Sequence, residues 1–184
     1  MSDGKKNICF VLGSINSYGG TARSVSLLLN ELGKEPFYQL SVVCYYNERV
    51  VNNYQLDKSF PIEYILPQRM NMRKGFLRTL GFLISYLRKN QIDTIVASGV
   101  LFFPAAIVAA RIAGCRIICW DHSNFTCVYD AKYERQSRIF AALFSDVLIT
   151  LTKKDLENYK RSTKVRTTID YIHNIIDPSI LNRK

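Results

Sequence analysis

Short apolar runs alternate with amphipathic stretches along most of the chain. Asn7–Leu12 (NICFVL) is a run of strand formers halted by Gly13, and it reads as a buried strand. The polar, glycine-rich stretch Gly13–Gly20 (GSINSYGG) is a loop. Ala22–Leu32 then carries Val25, Leu28, Leu29 and Leu32 at helical spacing, with Thr21 as the expected N-cap and Gly33 as the stop. Gln39–Tyr45 (QLSVVCY) is the second strand, which completes a βαβ unit.

The same rhythm continues. Strands are expected at Ile62–Leu66, Thr94–Ala97, Arg116–Trp120, Val147–Leu151 and Arg166–Ile172. Helices are expected at Met70–Lys89, Phe103–Ala113 (closed by Gly114), Tyr129–Phe144 and Lys153–Lys160 (capped by Thr152). Nearly continuous apolar strands that alternate with helices imply a parallel sheet covered on both faces, hence an α/β, Rossmann-like, three-layer domain with a mainly parallel sheet.

Length and composition narrow the classes. A chain of 184 residues that is 48% hydrophobic can bury a core without disulfides or a metal. Its five cysteines (Cys9, Cys44, Cys115, Cys119 and Cys127) show no CxxC spacing, and with only His122 and His173 as histidines no metal-ligand cluster is visible. Buried free thiols in a reducing compartment are expected. No apolar run reaches the roughly 18 residues of a membrane span, and the polar start MSDGKKN is no secretory leader. A cytoplasmic protein, soluble or peripheral at the inner face of the membrane, is the expectation. The net charge of +10 suits an anionic partner such as nucleic acid, phospholipid or a phosphate-bearing substrate, though a solvated basic surface gives the same count.

In an open α/β sheet, ligands bind beyond the carboxyl ends of the strands. The loops with the most chemistry there are Gly13–Gly20 and Asp121–Asn124. The first lacks GxGxxG and Walker spacing, which disfavours a dinucleotide enzyme. It does place Gly19–Gly20 just before a helix N-terminus, where amides and the helix dipole favour a phosphate; a flexible turn is the equal alternative. His122 ends a strand, either as a general base or sugar-binding group or as a histidine satisfied at the core edge, with Asp121 to orient it or to act as base itself. The stretch Arg69–Lys89 is a basic amphipathic helix that carries Arg69, Arg73, Lys74 and Arg78, and the charge near its start, from Arg69 to Lys74, opposes its dipole. Those four are a candidate acceptor, phosphate or anionic-membrane contact.

Five loose motifs in order resemble the retaining glycosyltransferases of the GT-B fold, family 4: Gly19-Gly20-Thr21-Ala22-Arg23, the strand start at Ile92–Asp93, Trp120-Asp121-His122, Ser145–Leu156 and Ile172–Asp177. The resemblance covers nearly the whole chain. It implies that residues 1–176 are the N-terminal, acceptor-side half of a GT-B fold, that residues 177–184 begin the interdomain linker, and that the C-terminal donor domain is absent. It implies a nucleotide-sugar donor, no metal or other cofactor, and a glycan, lipid-linked glycan or lipopolysaccharide-precursor acceptor. It assigns Gly19, Gly20 and Arg23 to the donor diphosphate and His122 to the donor sugar or acceptor; Ala22 stands where the family often has Glu. The fragment alone is expected to be inactive. The alternatives are a stand-alone subunit of a split transferase and a basic nucleic-acid binder; no RNA- or DNA-binding module signature supports the latter, and no nucleic-acid partner is expected.

Overall fold

The computed structural model of the chain describes residues 4–48, 54, 56–126 and 131–174. Seven strands form one sheet: β1 (Lys6–Leu12), β2 (Tyr38–Tyr46), β3 (Ile62–Leu66), β4 (Thr94–Ser98), β5 (Arg116–Trp120), β6 (Val147–Thr150) and β7 (Thr168–Tyr171). Their order is β3-β2-β1-β4-β5-β6-β7, and every neighbouring pair is parallel. The helices are α1 (Gly20–Leu32), α2 (Met72–Lys89), α3 (Phe103–Ala113), α4 (Ala131–Phe144) and α5 (Lys153–Ser162), with a short 3-10 turn at Val100–Phe102. The Rossmann-like parallel arrangement expected from the apolar runs is the one observed.

Strand alternation sorts the core into two layers. Cys9, Val11, Val43, Ile95, Ala97 and Ile117 face one side, where side chains of α2, α3, α4 and α5 cover them. Phe10, Leu12, Val42, Cys44, Val96 and Trp120 face the other, packed on Val25 and Leu29 of α1. The register explains the sorting: Val11 lies beside Val43 on one flank and Ala97 on the other, and Phe10 lies beside Val42 and Val96. Cys9, Cys44, Cys115 and Cys119 are buried free thiols, as expected, and burial pushes Cys9 and Cys44 up to about 12. Cys127 lies outside the described residues.

The helix ends depart from expectation in informative ways. Gly19, not Thr21, is the N-cap of α1, and no side chain caps it; Thr21 sits inside the first turn. Helix α2 begins at Met72 rather than Met70, because the Asn71 side chain accepts a hydrogen bond from the Arg73 amide at 2.9 Å and ends the preceding loop there. Gly33 closes α1 in a right-handed conformation, so its glycine serves space: an added Cβ would lie 3.0 Å from the Phe60 ring. Gly114 closes α3 with φ +78, where the left-handed backbone itself selects glycine. Thr152 caps α5 as expected. Its hydroxyl accepts from the Asp155 amide at 3.0 Å and donates to the Asp155 carboxylate at 2.6 Å. The expected Tyr129 start of α4 and the expected linker residues 177–184 lie outside the described residues.

Two glycines of α2 yield opposite predictions. A Cβ on Gly75 would run into the Tyr45 hydroxyl, and Tyr45 is held in the core against Phe102, whereas Gly81 is exposed with nothing within 4 Å. Gly75→Ala is expected to destabilise the fold by about 1–3 kcal/mol through overpacking, and Gly81→Ala to stabilise it by about 0.5–1 kcal/mol through helix propensity. Urea unfolding of the two variants checks both signs.

Candidate functional site

The carboxyl ends of β1 and β4 flank the point where the strand order reverses direction, and a cleft of about 570 Å³ opens there. The strand-end loops are tied to their neighbours. The Tyr46 amide donates to the Gly13 carbonyl at 3.1 Å, Gly99 to Trp120 at 3.0 Å, and Asp121 to Ile149 at 2.8 Å. Gly99 has φ +119, which permits the sharp exit from β4 into the 3-10 turn. Much of the lining is aromatic: Tyr45, Tyr46, Phe102 and Tyr133, whose hydroxyl donates to the Leu101 carbonyl.

Of the four basic candidates, the structure brings only two into this cleft. Arg69 and Arg73 line it, with guanidinium carbons 6.0 Å from the Tyr46 ring centroid and 5.6 Å from that of Tyr133. Cation–π contacts of this kind are worth about 0.5–1 kcal/mol at exposed sites and help to place flexible side chains. Lys74 and Arg78 are exposed on α2 and do not line the cleft.

Gly19, Gly20 and Arg23 stand beside the cleft, between or just past its lining residues Ser17 and Thr21. A Cβ at Gly20 would meet nothing within 4 Å, so the two glycines leave the uncapped end of α1 open rather than packed. An open helix N-terminus with no side-chain cap and no acid in its first turn is electrostatically suited to a phosphate. The half-buried Arg23 is a turn further on, its amide donating to the Gly19 carbonyl at 3.1 Å. Ser24 binds Asn174 at 3.0 Å, which fastens the start of α1 to the segment after β7.

Asp121 and His122 separate into different roles. Asp121 is 1% exposed and does not orient His122. Its carboxylate instead accepts from the Arg138 guanidinium at 2.9 Å, the Tyr159 hydroxyl at 2.7 Å and the Ser123 amide at 2.9 Å. Burial raises its pKa, and Arg138 draws it part of the way back. With its oxygens committed to these partners inside the core, Asp121 ties β5 to α4 and α5 and is not placed as a general base. The imidazole of His122 lies 4.1 Å from the Trp120 ring, and both of its nitrogens are shielded and without a partner among the described residues. Burial holds it down at about 4 against an ordinary 6.5, so it is neutral at pH 7. His122 does not line the cleft, although its neighbour Ser123 does, and its imidazole keeps one donor and one acceptor without a partner among the described residues.

Several residues of this region carried no sequence signal. Arg138 and Tyr159 are far from Asp121 along the chain and meet it only through the packing of α4 and α5. Ser98 was visible only as a residue after a strand; folded, it is 1% exposed, lines the cleft, and its hydroxyl has no partner among the described residues. No group of His, Cys, Asp and Glu among the described residues is arranged to hold a metal ion.

The shift of His122 sets a pH dependence. The unfolded imidazole takes up a proton near pH 6.5 and the folded one resists until about 4, so stability is complete above that window and falls as pH drops through it. Between pH 7 and 5 this one group is expected to remove about 2 kcal/mol. Urea unfolding at both pH values should show that loss in the parent chain, and His122→Gln should lack most of it.

A profile of the family described as Glycosyltransferase Family 4 matches residues 18–180. Among solved structures, HepE of Anabaena in complex with UDP-glucose aligns with a TM-score of 0.69 at 14% identity, covering 95% of this chain and 45% of that one. The lipopolysaccharide outer core galactosyltransferase WaaB aligns with a TM-score of 0.73 at 12% identity, covering 93% and 46%. MurG of Acinetobacter baumannii aligns with a TM-score of 0.63 at 13% identity, covering 94% and 46%. A UDP-N-acetylglucosamine 2-epimerase shares the fold as well, with a TM-score of 0.67. No curated protein matches the chain. The chain spans under half the length of these structures, and at such identities their likeness establishes the fold, that of the N-terminal domains of GT-B glycosyltransferases. Fold and profile agree over nearly all of the sequence, and the chain belongs to Glycosyltransferase Family 4.

Proposed function

We propose that the chain is the acceptor-side half of an enzyme that moves a sugar, with retention of configuration, from a nucleotide-sugar to a hydroxyl of a glycan, lipid-linked glycan or lipopolysaccharide precursor. The observation that carries this is the cleft at the reversal of strand order, with the open N-terminus of α1 beside it, in a chain of this family. Transfer breaks the bond between the sugar's anomeric carbon and the diphosphate and forms one to the acceptor oxygen. Negative charge grows on the leaving diphosphate, and the acceptor must be held close to the anomeric carbon. The amides of Gly19–Gly20 suit the first task. His122, neutral and with neither nitrogen hydrogen-bonded among the described residues, is the group we assign to a sugar hydroxyl.

The donor needs a second wall. Gly20 faces open space, so the described residues leave the end of α1 beside the cleft uncovered. Residues 1–184 alone are therefore expected to turn over no nucleotide-sugar. Joined to a second α/β half, in one reading frame or as a separate chain, they should transfer sugar from a UDP- or GDP-sugar, with His122→Ala lowering the rate about a hundredfold. Product analysis by mass spectrometry and anomeric NMR checks this. Transfer by residues 1–184 alone, or none by the paired protein with any such donor, overturns the proposal.

The outer face of α2 supports a further part of the proposal: peripheral attachment to an anionic membrane at the inner face. Among the described residues no helix is long and apolar enough to cross a membrane. Lys74, Leu77, Arg78 and Gly81 follow one another at helical spacing, all exposed, and Leu77 is 78% exposed. Each basic residue near an anionic surface is worth about 1 kcal/mol. The double charge reversal Lys74→Glu with Arg78→Glu is thus expected to weaken binding to phosphatidylserine-containing vesicles at least tenfold in co-sedimentation, and unchanged binding removes the membrane contact.

A further inference from the structure

We propose that α4 joins α2 in one continuous face that docks on an anionic bilayer, with Lys132 and Arg135 as the cations of α4, and that the mouth of the cleft lies at the rim of this face. This deepens the membrane part of the reading above and rests on it. Charge is sorted unevenly between the two helical layers. Helices α2, α3 and α4 contain one carboxylate, Glu134, which is 5% exposed, whereas α1 in the other layer shows Glu31 to solvent. Lys74, Arg78, Arg88 and Lys89 of α2 and Lys132 and Arg135 of α4 are all exposed, and none is in an ion pair among the described residues. The two helices meet at their starts: the Arg73 guanidinium carbon lies 5.6 Å from the Tyr133 ring centroid, and both residues line the cleft. Lys74 and Lys132 are their exposed neighbours in sequence, so the cations of the two helices flank one seam, and the seam ends at the cleft.

Folding alone does not call for cations at these positions. Lys74 and Lys132 stand in the first turns of their helices, where the positive end of the dipole disfavours them. Arg88 and Lys89 differ: in the last turn of α2 they complement its dipole, and Arg88 donates to the Ile112 carbonyl at 2.9 Å. The cations that the fold leaves unexplained are therefore those beside the cleft. Apolar side chains stand exposed in the same helical layer: Leu77 at 78%, Ile112 at 46% and Phe144 at 47%. A nucleic-acid backbone takes the cations alone, whereas the interface of an anionic bilayer takes cations and apolar side chains together.

Co-sedimentation of the chain with phosphatidylcholine vesicles carrying phosphatidylserine tests the proposal. Each cation near an anionic leaflet is worth roughly fivefold in affinity. Lys132→Glu with Arg135→Glu is thus expected to weaken binding at least tenfold, and the further addition of Lys74→Glu and Arg78→Glu at least a hundredfold. Lys34→Glu with Lys58→Glu changes the net charge as much as either pair but lies at the far end of α1 in the other layer, where Lys34 bonds Glu31 and Lys58 the Gly33 carbonyl. That pair is expected to alter binding by no more than about twofold. Amide hydrogen exchange on vesicles is expected to slow at the starts of α2 and α4 and to stay unchanged in α1, and urea unfolding confirms that each variant is folded. Equal losses in the α1 and α4 pairs reduce the effect to net charge and overturn the face. A loss with Lys74 and Arg78 reversed but none with Lys132 and Arg135 reversed overturns the part of α4 and leaves the membrane reading of α2 intact. No loss with either pair overturns both. Retention on duplex DNA that the same four substitutions abolish, without vesicle binding, assigns the face to nucleic acid and overturns the bilayer.

Discussion

The architecture depends on where the chain reverses its direction across the sheet. β1 lies at the middle of the order, with β2 on one side and β4 on the other. Parallel neighbours must be joined by right-handed crossovers, so a chain that moves outward first one way and then the other delivers its helices to opposite faces. α1 consequently packs with Phe10, Leu12 and Val42, while α2 and α3 pack with Cys9, Val11 and Ile95. The two paths part at the carboxyl ends of β1 and β4, and the cleft opens there. The site is thus a consequence of winding, and the loops only decorate it.

A gap between two strand ends is useful only if its rim is held still. On the β5 side that task falls to a buried charge. Asp121 is taken out of water, which by itself costs several kcal/mol, and the cost is offset because Arg138, Tyr159 and the Ser123 amide all reach it. Arg138 also lies over the Phe125 ring, and Asp155 accepts from the Phe125 amide at 2.9 Å. One ion pair and its hydrogen bonds therefore clamp the segment from Asp121 to Phe125 against α4 and α5, and His122 and Ser123 are carried in place with it. Such pairs contribute more to position than to net stability.

Helix α2 shows how a single amphipathic stretch divides its work. Its inner face, with Leu83 and Leu87, closes the core; its beginning brings Arg73 to the cleft, with Arg69 just before it; its outer face shows Lys74, Leu77 and Arg78 to solvent. The basic residues form one cluster along the sequence. They form two in space because the Asn71 cap turns the chain between Arg69 and the helix, and because side chains a turn apart point differently from those adjacent in sequence.

By itself the sequence determined the layered fold, since alternating apolar runs have no other low-cost arrangement than a parallel sheet under helices, and glycines and caps such as Gly114 and Thr152 mark the ends of those elements locally. The glycine pair at the start of α1 and the strand-end position of His122 were legible for the same reason: both are properties of neighbouring residues. What only the tertiary structure decided depends on residues distant along the chain. That Asp121 is held by Arg138 and Tyr159, that Ser98 lines the cleft with an unused hydroxyl, and that Arg69 and Arg73 enter it while Lys74 and Arg78 do not, all follow from how helices settle on the sheet. Periodicity along the chain reports which face of an element is apolar; it does not report which side chain of another element will be waiting there.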